Sequence, residues 1–158
     1  SRLGCRADEV DDIRRAALAH DLGLVSVPTY ALQKAASHQS AVEREQIRLH
    51  PYTAGRVLSH VPGLAPLVTL IQAHHEHHDG TGFYQGLKGD QIPLTVRILV
   101  VADTYDAMIT DRPYRKRLSL EEATAELRRN AGTQFDPVVV DALLQLLSEK
   151  QERLAGSS

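Results

Sequence analysis

Apolar positions recur at helical spacing along most of this chain. Val10, Ile13, Ala17 and Leu18 share one helical face, and that helix is read as ending at His20-Asp21 with Gly23 as its C-terminal cap. Residues 24–37, which include Pro28, read as loop. Ser40-Ala41-Val42-Glu43 has the form of a capping box, in which serine accepts from the first turn and the glutamate reaches back. The helix it opens carries Ile47 and His50 and then meets Pro51, where it either kinks or restarts with proline in a new first turn. Val61-Pro62-Gly63 is a turn, and a helix over roughly 65–78 is predicted to end in His74-His75-Glu76-His77-His78. Residues 79–86 are too glycine-rich for helix. Pro93 opens a helix over roughly 94–110, apolar until Asp103 and Asp106, and Asp111-Arg112-Pro113 stops it. Ser119-Leu120-Glu121-Glu122 is a second capping box, for a helix that runs to about Arg129. Asp136-Pro137 caps the last helix, with Val139, Leu143, Leu146 and Leu147 on one face and a polar end beyond about Glu149 that is expected to fray. The pattern predicts an all-α fold, with one domain over 1–150 and a polar tail over 151–158.

The length is enough to bury a real core. The longest apolar run, Ile98-Leu99-Val100-Val101-Ala102, falls far short of the roughly 18 to 20 residues that span a bilayer. Cys5 is the single cysteine, which excludes an intrachain disulfide and points to a reducing, cytoplasmic setting. A net charge of −2 favours neither DNA nor RNA as a partner. Arg112-Pro113-Tyr114-Arg115-Lys116-Arg117 is a local basic exception, readable as a solvated loop or as an anion-binding one. The chain does not open on methionine, so residue 1 is read as a boundary and not as a natural start.

Histidine changes the picture. The chain has eight, four of them between His74 and His78. His20-Asp21 alone could be a helix end with a favourable dipole contact. His50 alone could be a surface residue, and Asp103 could pair with a buried arginine such as Arg97. Two adjacent histidines on a helix point about 100° apart and converge only on a broad centre. Taken together, His20, Asp21, His50, His74, His75 and Asp103 predict a polynuclear metal centre between helices, with His77 and His78 at the rim or surface. Imidazole and carboxylate donors suit iron, manganese, zinc or nickel. Two such ions about 3.5 to 4 Å apart activate water and stabilise a phosphoryl transition state. No thiolate is near enough for a structural zinc finger. His75-Glu76-His77-His78 is not the zinc-protease helix motif, because Asp79 stands where its second histidine would be.

The order of these segments resembles the HD-GYP family, a branch of the HD metal-dependent phosphohydrolases. The matching stretches run collinearly through Ala16 to Gly23, His50-Pro51 with Gly55 and Leu58, and His74-His75-Glu76 with Asp79-Gly80-Thr81-Gly82. They continue through Gly86 to Gly89, Ala102 to Ala107, Asp111 to Arg115 and Ala131 to Pro137. The resemblance implies a helical bundle with the metal centre between helices and two or three divalent ions, iron or manganese most often. It implies a phosphodiesterase acting on cyclic di-GMP or a related cyclic dinucleotide. By position, the six residues would be ligands, with Asp21 bridging and a metal-bound water as nucleophile. Arg112 and Arg115 would hold phosphate or a guanine face, as a planar, permanently charged guanidinium can, and Phe83 would stack on a base.

Three departures accompany the resemblance. The family lysine that follows the His-Asp motif is Leu24 here. The Gly-Tyr-Pro signature reads Gly82-Phe83-Tyr84. A further histidine or glutamate ligand, found upstream of His-Asp in the family, would precede residue 1. These departures support an alternative of another class, a degenerate non-catalytic module that binds a nucleotide or docks a signalling partner. They also leave open a hydrolase for a different cyclic or linear nucleotide.

Overall fold

The computed structural model describes residues 2–111 and 115–156. Eight α-helices carry the fold among them: α1 (Ala7–Ala19), α2 (Thr29–Leu32), α3 (Ala41–Arg48), α4 (His50–Leu58), α5 (Ala65–Gln72), α6 (Leu94–Ile109), α7 (Leu120–Arg129) and α8 (Pro137–Ala155). Short 3-10 segments lie at His20–Ser26, Ala36–His38 and Gly89–Gln91. The described residues hold no strand, only an isolated bridge between Ala131 and Phe135. No described helix is long and apolar enough to cross a membrane.

The helix starts follow from side-chain chemistry. The Ser40 hydroxyl accepts from the Glu43 amide, and the Glu43 carboxylate accepts from the Ser40 amide at 2.7 Å. Ser119 and Glu122 repeat this arrangement at the start of α7. Asp136 accepts from the Val138 amide at 2.8 Å and opens α8, with Pro137 supplying a preset φ in the first turn. At Pro51 the chain restarts and does not kink: Leu49 lies between α3 and α4, and proline occupies the first turn of α4.

Helix α6 runs through the middle of the core. Its Val96, Leu99, Val100, Val101 and Met108 are buried with Leu67, Leu70 and Ile71 of α5, Ala54 and Leu58 of α4, Leu127 of α7 and Val139 and Val140 of α8. Each such aliphatic side chain, fully buried, stabilises the fold by about 1.5–3 kcal/mol. Against that apolar background, Arg97 does not pair with Asp103. It donates to Asp136 at 2.6 Å and to Asp90 at 3.3 Å, which ties α6 to the start of α8 and leaves Asp103 to the histidines.

Four local expectations are corrected. Gly23 is not a helix cap: α1 ends at Ala19, and Gly23 lies buried within a 3-10 segment. Residues 24–37 are not open loop but contain the end of that segment, α2 and the start of another 3-10 turn. Helix α5 stops at Gln72, so His74 and His75 lie beyond it. The reason is tertiary: the backbone there is satisfied from outside, with Phe83 N–H donating to the His75 carbonyl at 3.1 Å and His78 N–H to the Gln134 carbonyl at 3.1 Å. The C-terminal stretch continues as regular helix to Ala155, although its residues from Gln151 on are exposed.

Candidate metal centre

The six predicted donors enter from four structural settings. His20 and Asp21 open the 3-10 turn after α1, and His50 is the first residue of α4. His74 and His75 follow α5, and Asp103 sits within α6. The structure brings all six together. His20 Nε2 lies 3.3 Å from an Asp103 oxygen and 3.5 Å from Asp21 Oδ2, and His50 Nε2 lies 3.4 Å from Asp21 Oδ1. Two sets of donor atoms, His50-His74-His75 and His20-Asp21-His74, are each compact enough to hold an ion. They share His74, and Asp21 turns one oxygen toward His20 and the other toward His50.

Two glycines permit this convergence. A Cβ on Gly23 would stand 2.0 Å from the His50 carbonyl oxygen, so only glycine lets the His20–Ser26 segment lie against the start of α4. A Cβ on Gly82 would stand 2.2 Å from the His77 nitrogen and 2.5 Å from the His75 carbonyl oxygen, so glycine likewise lets the 79–86 loop close over His75.

The imidazoles are oriented by their outer nitrogens. Nδ1 of His20, His50 and His74 each faces the carbonyl three residues earlier, at Ala17 (2.9 Å), Ile47 (2.6 Å) and Ile71 (2.6 Å). At His50 and His74 an Nδ1–H donated to the carbonyl leaves the Nε2 lone pair facing the cluster, the usual arrangement behind a metal-ligating histidine, while the His20 Nε2 faces Asp103. His50 Nε2 and His74 Nε2 then stand 3.3 Å apart as two acceptors. Two facing lone pairs repel unless a cation or proton lies with them, so the donor set fits a metal. Burial, reinforced by neighbouring imidazoles, holds the His74 pKa down to about 4 and the His75 pKa down to about 3. Burial also lowers His50. His74 and His75 therefore stay neutral, and able to ligate, well below neutral pH. His20 moves the other way, up to about 9, chiefly through its hydrogen bond to Asp103. Asp103 itself is lowered despite its burial, because the His20 contact favours the carboxylate.

A cavity of about 450 Å³ opens onto the donors and is lined by His20, Asp21, His50, His75 and Asp103 together with Leu24, Lys34, Gln39 and Ile47. Leu24 presents an apolar side chain there. The Phe83 ring stacks on His75 with centroids 4.8 Å apart, and the Arg48 guanidinium lies 4.9 Å from the Phe83 centroid. Arg115 is exposed and donates to the Ala107 carbonyl at 2.5 Å, one helical turn along α6 from Asp103. It does not line the cavity. Arg112 lies outside the described residues. His77, half-buried, contacts the Thr81 hydroxyl at 3.0 Å, and neither it nor His78 belongs to a donor set. His78 is half-buried like His77, with its Nδ1 enclosed.

Sequence reasoning gave no role to Lys34, Arg48 or Glu76. Glu76 is 1% exposed, and its carboxylate accepts from the amides of Gln85, Gly86 (3.1 Å) and Leu87 (3.0 Å). It anchors the loop that carries Phe83. The available signal was a carboxylate directly beside His75, which is ambiguous between ligand and anchor. For Lys34 and Arg48 no local pattern exists, since only the tertiary fold sets them beside the donors.

The profile of the HD domain family matches residues 1–139. The chain belongs to the HD-GYP family. It is 36% identical over 149 residues to the 3'3'-cGAMP-specific phosphodiesterase 3 of Vibrio cholerae, covering 92% of this chain and 32% of that protein. It is 37% identical over 146 residues to the cyclic di-GMP phosphodiesterase response regulator RpfG of Xanthomonas campestris, covering 91% of this chain and 38% of that protein. The crystal structure of a cyclic GMP-AMP-specific phosphodiesterase of V. cholerae superposes with a TM-score of 0.70 at 25% identity, covering 93% of this chain and 40% of that one. The chain therefore spans between a third and two fifths of the length of these HD-GYP relatives.

Proposed function

We propose that this HD-GYP chain is the metal-dependent catalytic part of a phosphodiesterase that hydrolyses cyclic di-GMP or a related cyclic dinucleotide. The observation that carries the reading is the pair of donor sets joined by His74, with Asp21 offering one oxygen toward each side. On this reading His20, Asp21, His50, His74, His75 and Asp103 would hold the two or three divalent ions that the resemblance implies, with the Asp21 carboxylate as the bridging donor. The imidazole and carboxylate set suits iron or manganese first, and zinc or nickel also. Bound there, the ions supply an activated water and positive charge for the phosphoryl transition state. The chain's own residues then bind and orient. The Phe83–Arg48 pair offers a ring and a guanidinium on which a purine can stack. Arg115 can exchange its exposed bond to Ala107 for a phosphate oxygen. Arg112 keeps the phosphate role that the resemblance implies. The greater length of the relatives, one of them a response regulator, supports an attached sensory or output segment.

The test is turnover by protein purified without oxygen and loaded with iron or manganese, offered cyclic di-GMP and 3'3'-cGAMP. The expected result is metal-dependent loss of at least one of them. Intact nucleotides, under conditions in which one of the relatives cleaves them, would end the reading. A binding module without turnover is the second reading, favoured by the apolar Leu24 in the cavity wall. Calorimetric binding of either nucleotide with no cleavage would support it.

A further inference from the structure

Among the described residues that line the donor cavity, Lys34 is the one with a permanent positive charge. It comes from the turn after α2, a segment with no part in the donor sets. Three contacts place it. Its ammonium donates to Glu43 at 2.6 Å and lies 5.4 Å from the Tyr30 ring centroid. Its backbone carbonyl accepts from the Gln39 amide at 3.4 Å, and the same amide reaches the Ala31 carbonyl at 3.2 Å. Glu43 is in turn fixed by the capping box at the start of α3. The ammonium is thus held at the cavity wall and is not a free surface lysine. It has three N–H donors, and Glu43 takes one.

We infer that Lys34 binds a phosphate of the substrate, bridging it to Glu43 at the mouth of the metal centre. This inference rests on the phosphodiesterase reading above. With the six donors turned to the ions, few groups of the wall are left to hold a phosphate oxygen, and Lys34 is the one lysine or arginine among the described lining residues. The N–H donors that Glu43 leaves free on this ammonium give a phosphate oxygen a partner distinct from the six metal donors. Leu24 lines the same cavity, so a lysine at that position would reach the same space from the His20–Ser26 segment.

The test compares manganese-loaded wild type with Lys34→Met, Lys34→Arg, Glu43→Gln and the double variant Lys34→Met/Leu24→Lys, using cyclic di-GMP turnover, metal content and melting temperature. Loss of one charge-assisted contact predicts a fall in kcat/KM of about 10- to 100-fold for Lys34→Met, with metal content and melting temperature unchanged. Lys34→Arg should keep most of the activity, and Leu24→Lys should restore part of what Lys34→Met loses. Turnover by Lys34→Met within twofold of wild type would overturn the inference. So would an equal loss in Glu43→Gln accompanied by a lower melting temperature in both variants, because the ion pair would then be purely structural. If wild type itself leaves the nucleotide intact, the phosphodiesterase reading fails separately. Calorimetry with inorganic phosphate then decides Lys34: weaker binding in Lys34→Met supports it, and equal binding overturns it.

Discussion

His74 belongs to both donor sets, so its imidazole carries more of the proposed centre than any other side chain. With its Nδ1 held by the Ile71 carbonyl, His74 has one lone pair to give an ion, so His74→Ala should lower metal content, whereas His78→Ala should leave occupancy nearly unchanged. Elemental analysis of protein purified side by side reads the difference, and equal metal content in the two variants would refute the assignment. At this scale the sequence was informative about residue type. An imidazole or carboxylate in an apolar setting must find a partner, and Asp103 did, in His20 and not in Arg97. It was silent about Glu76, because a buried carboxylate can be satisfied by amides as well as by cations, and here three backbone N–H groups do so.

Among elements, the capping boxes and Asp136-Pro137 marked the starts of α3, α7 and α8 because the interaction that begins a helix is local. Helix ends were less legible. Helix α5 releases the chain at Gln72, one residue before the histidines are needed, because later segments satisfy the freed backbone groups. The loop that carries Phe83 depends on Glu76 in the same way. Glu76→Gln replaces one of the two acceptor oxygens by an NH2 donor, so the three amides can no longer all be met. The unmet amides should destabilise the protein by about 1–3 kcal/mol. Chemical denaturation measures that loss, and hydrogen exchange should rise at Gln85, Gly86 and Leu87. Unchanged exchange at those amides would show that the carboxylate does not hold the loop.

Across the whole molecule, the turn after α1, the start of α4, the turn after α5 and the body of α6 deliver donors to one region, so an ion bound there links four parts of the fold. Binding to the native state alone stabilises it by mass action, about 2.7 kcal/mol at a free concentration one hundred times Kd. Chelation should therefore lower the melting temperature, and manganese should restore it. A melting temperature indifferent to chelator would argue against a centre at this junction. The all-α fold, the capped starts of α3, α7 and α8 and the types of the six donors were determined by the sequence, since periodicity, capping and unpaired polar groups are local properties. Tertiary structure decided what depends on segments distant in the chain: the close approach at Gly23 and Gly82, the early end of α5, the cradle around Glu76 and the arrival of Lys34 in the cavity wall. These contacts are made by backbone atoms and long side chains whose neighbours are fixed only when the helices pack.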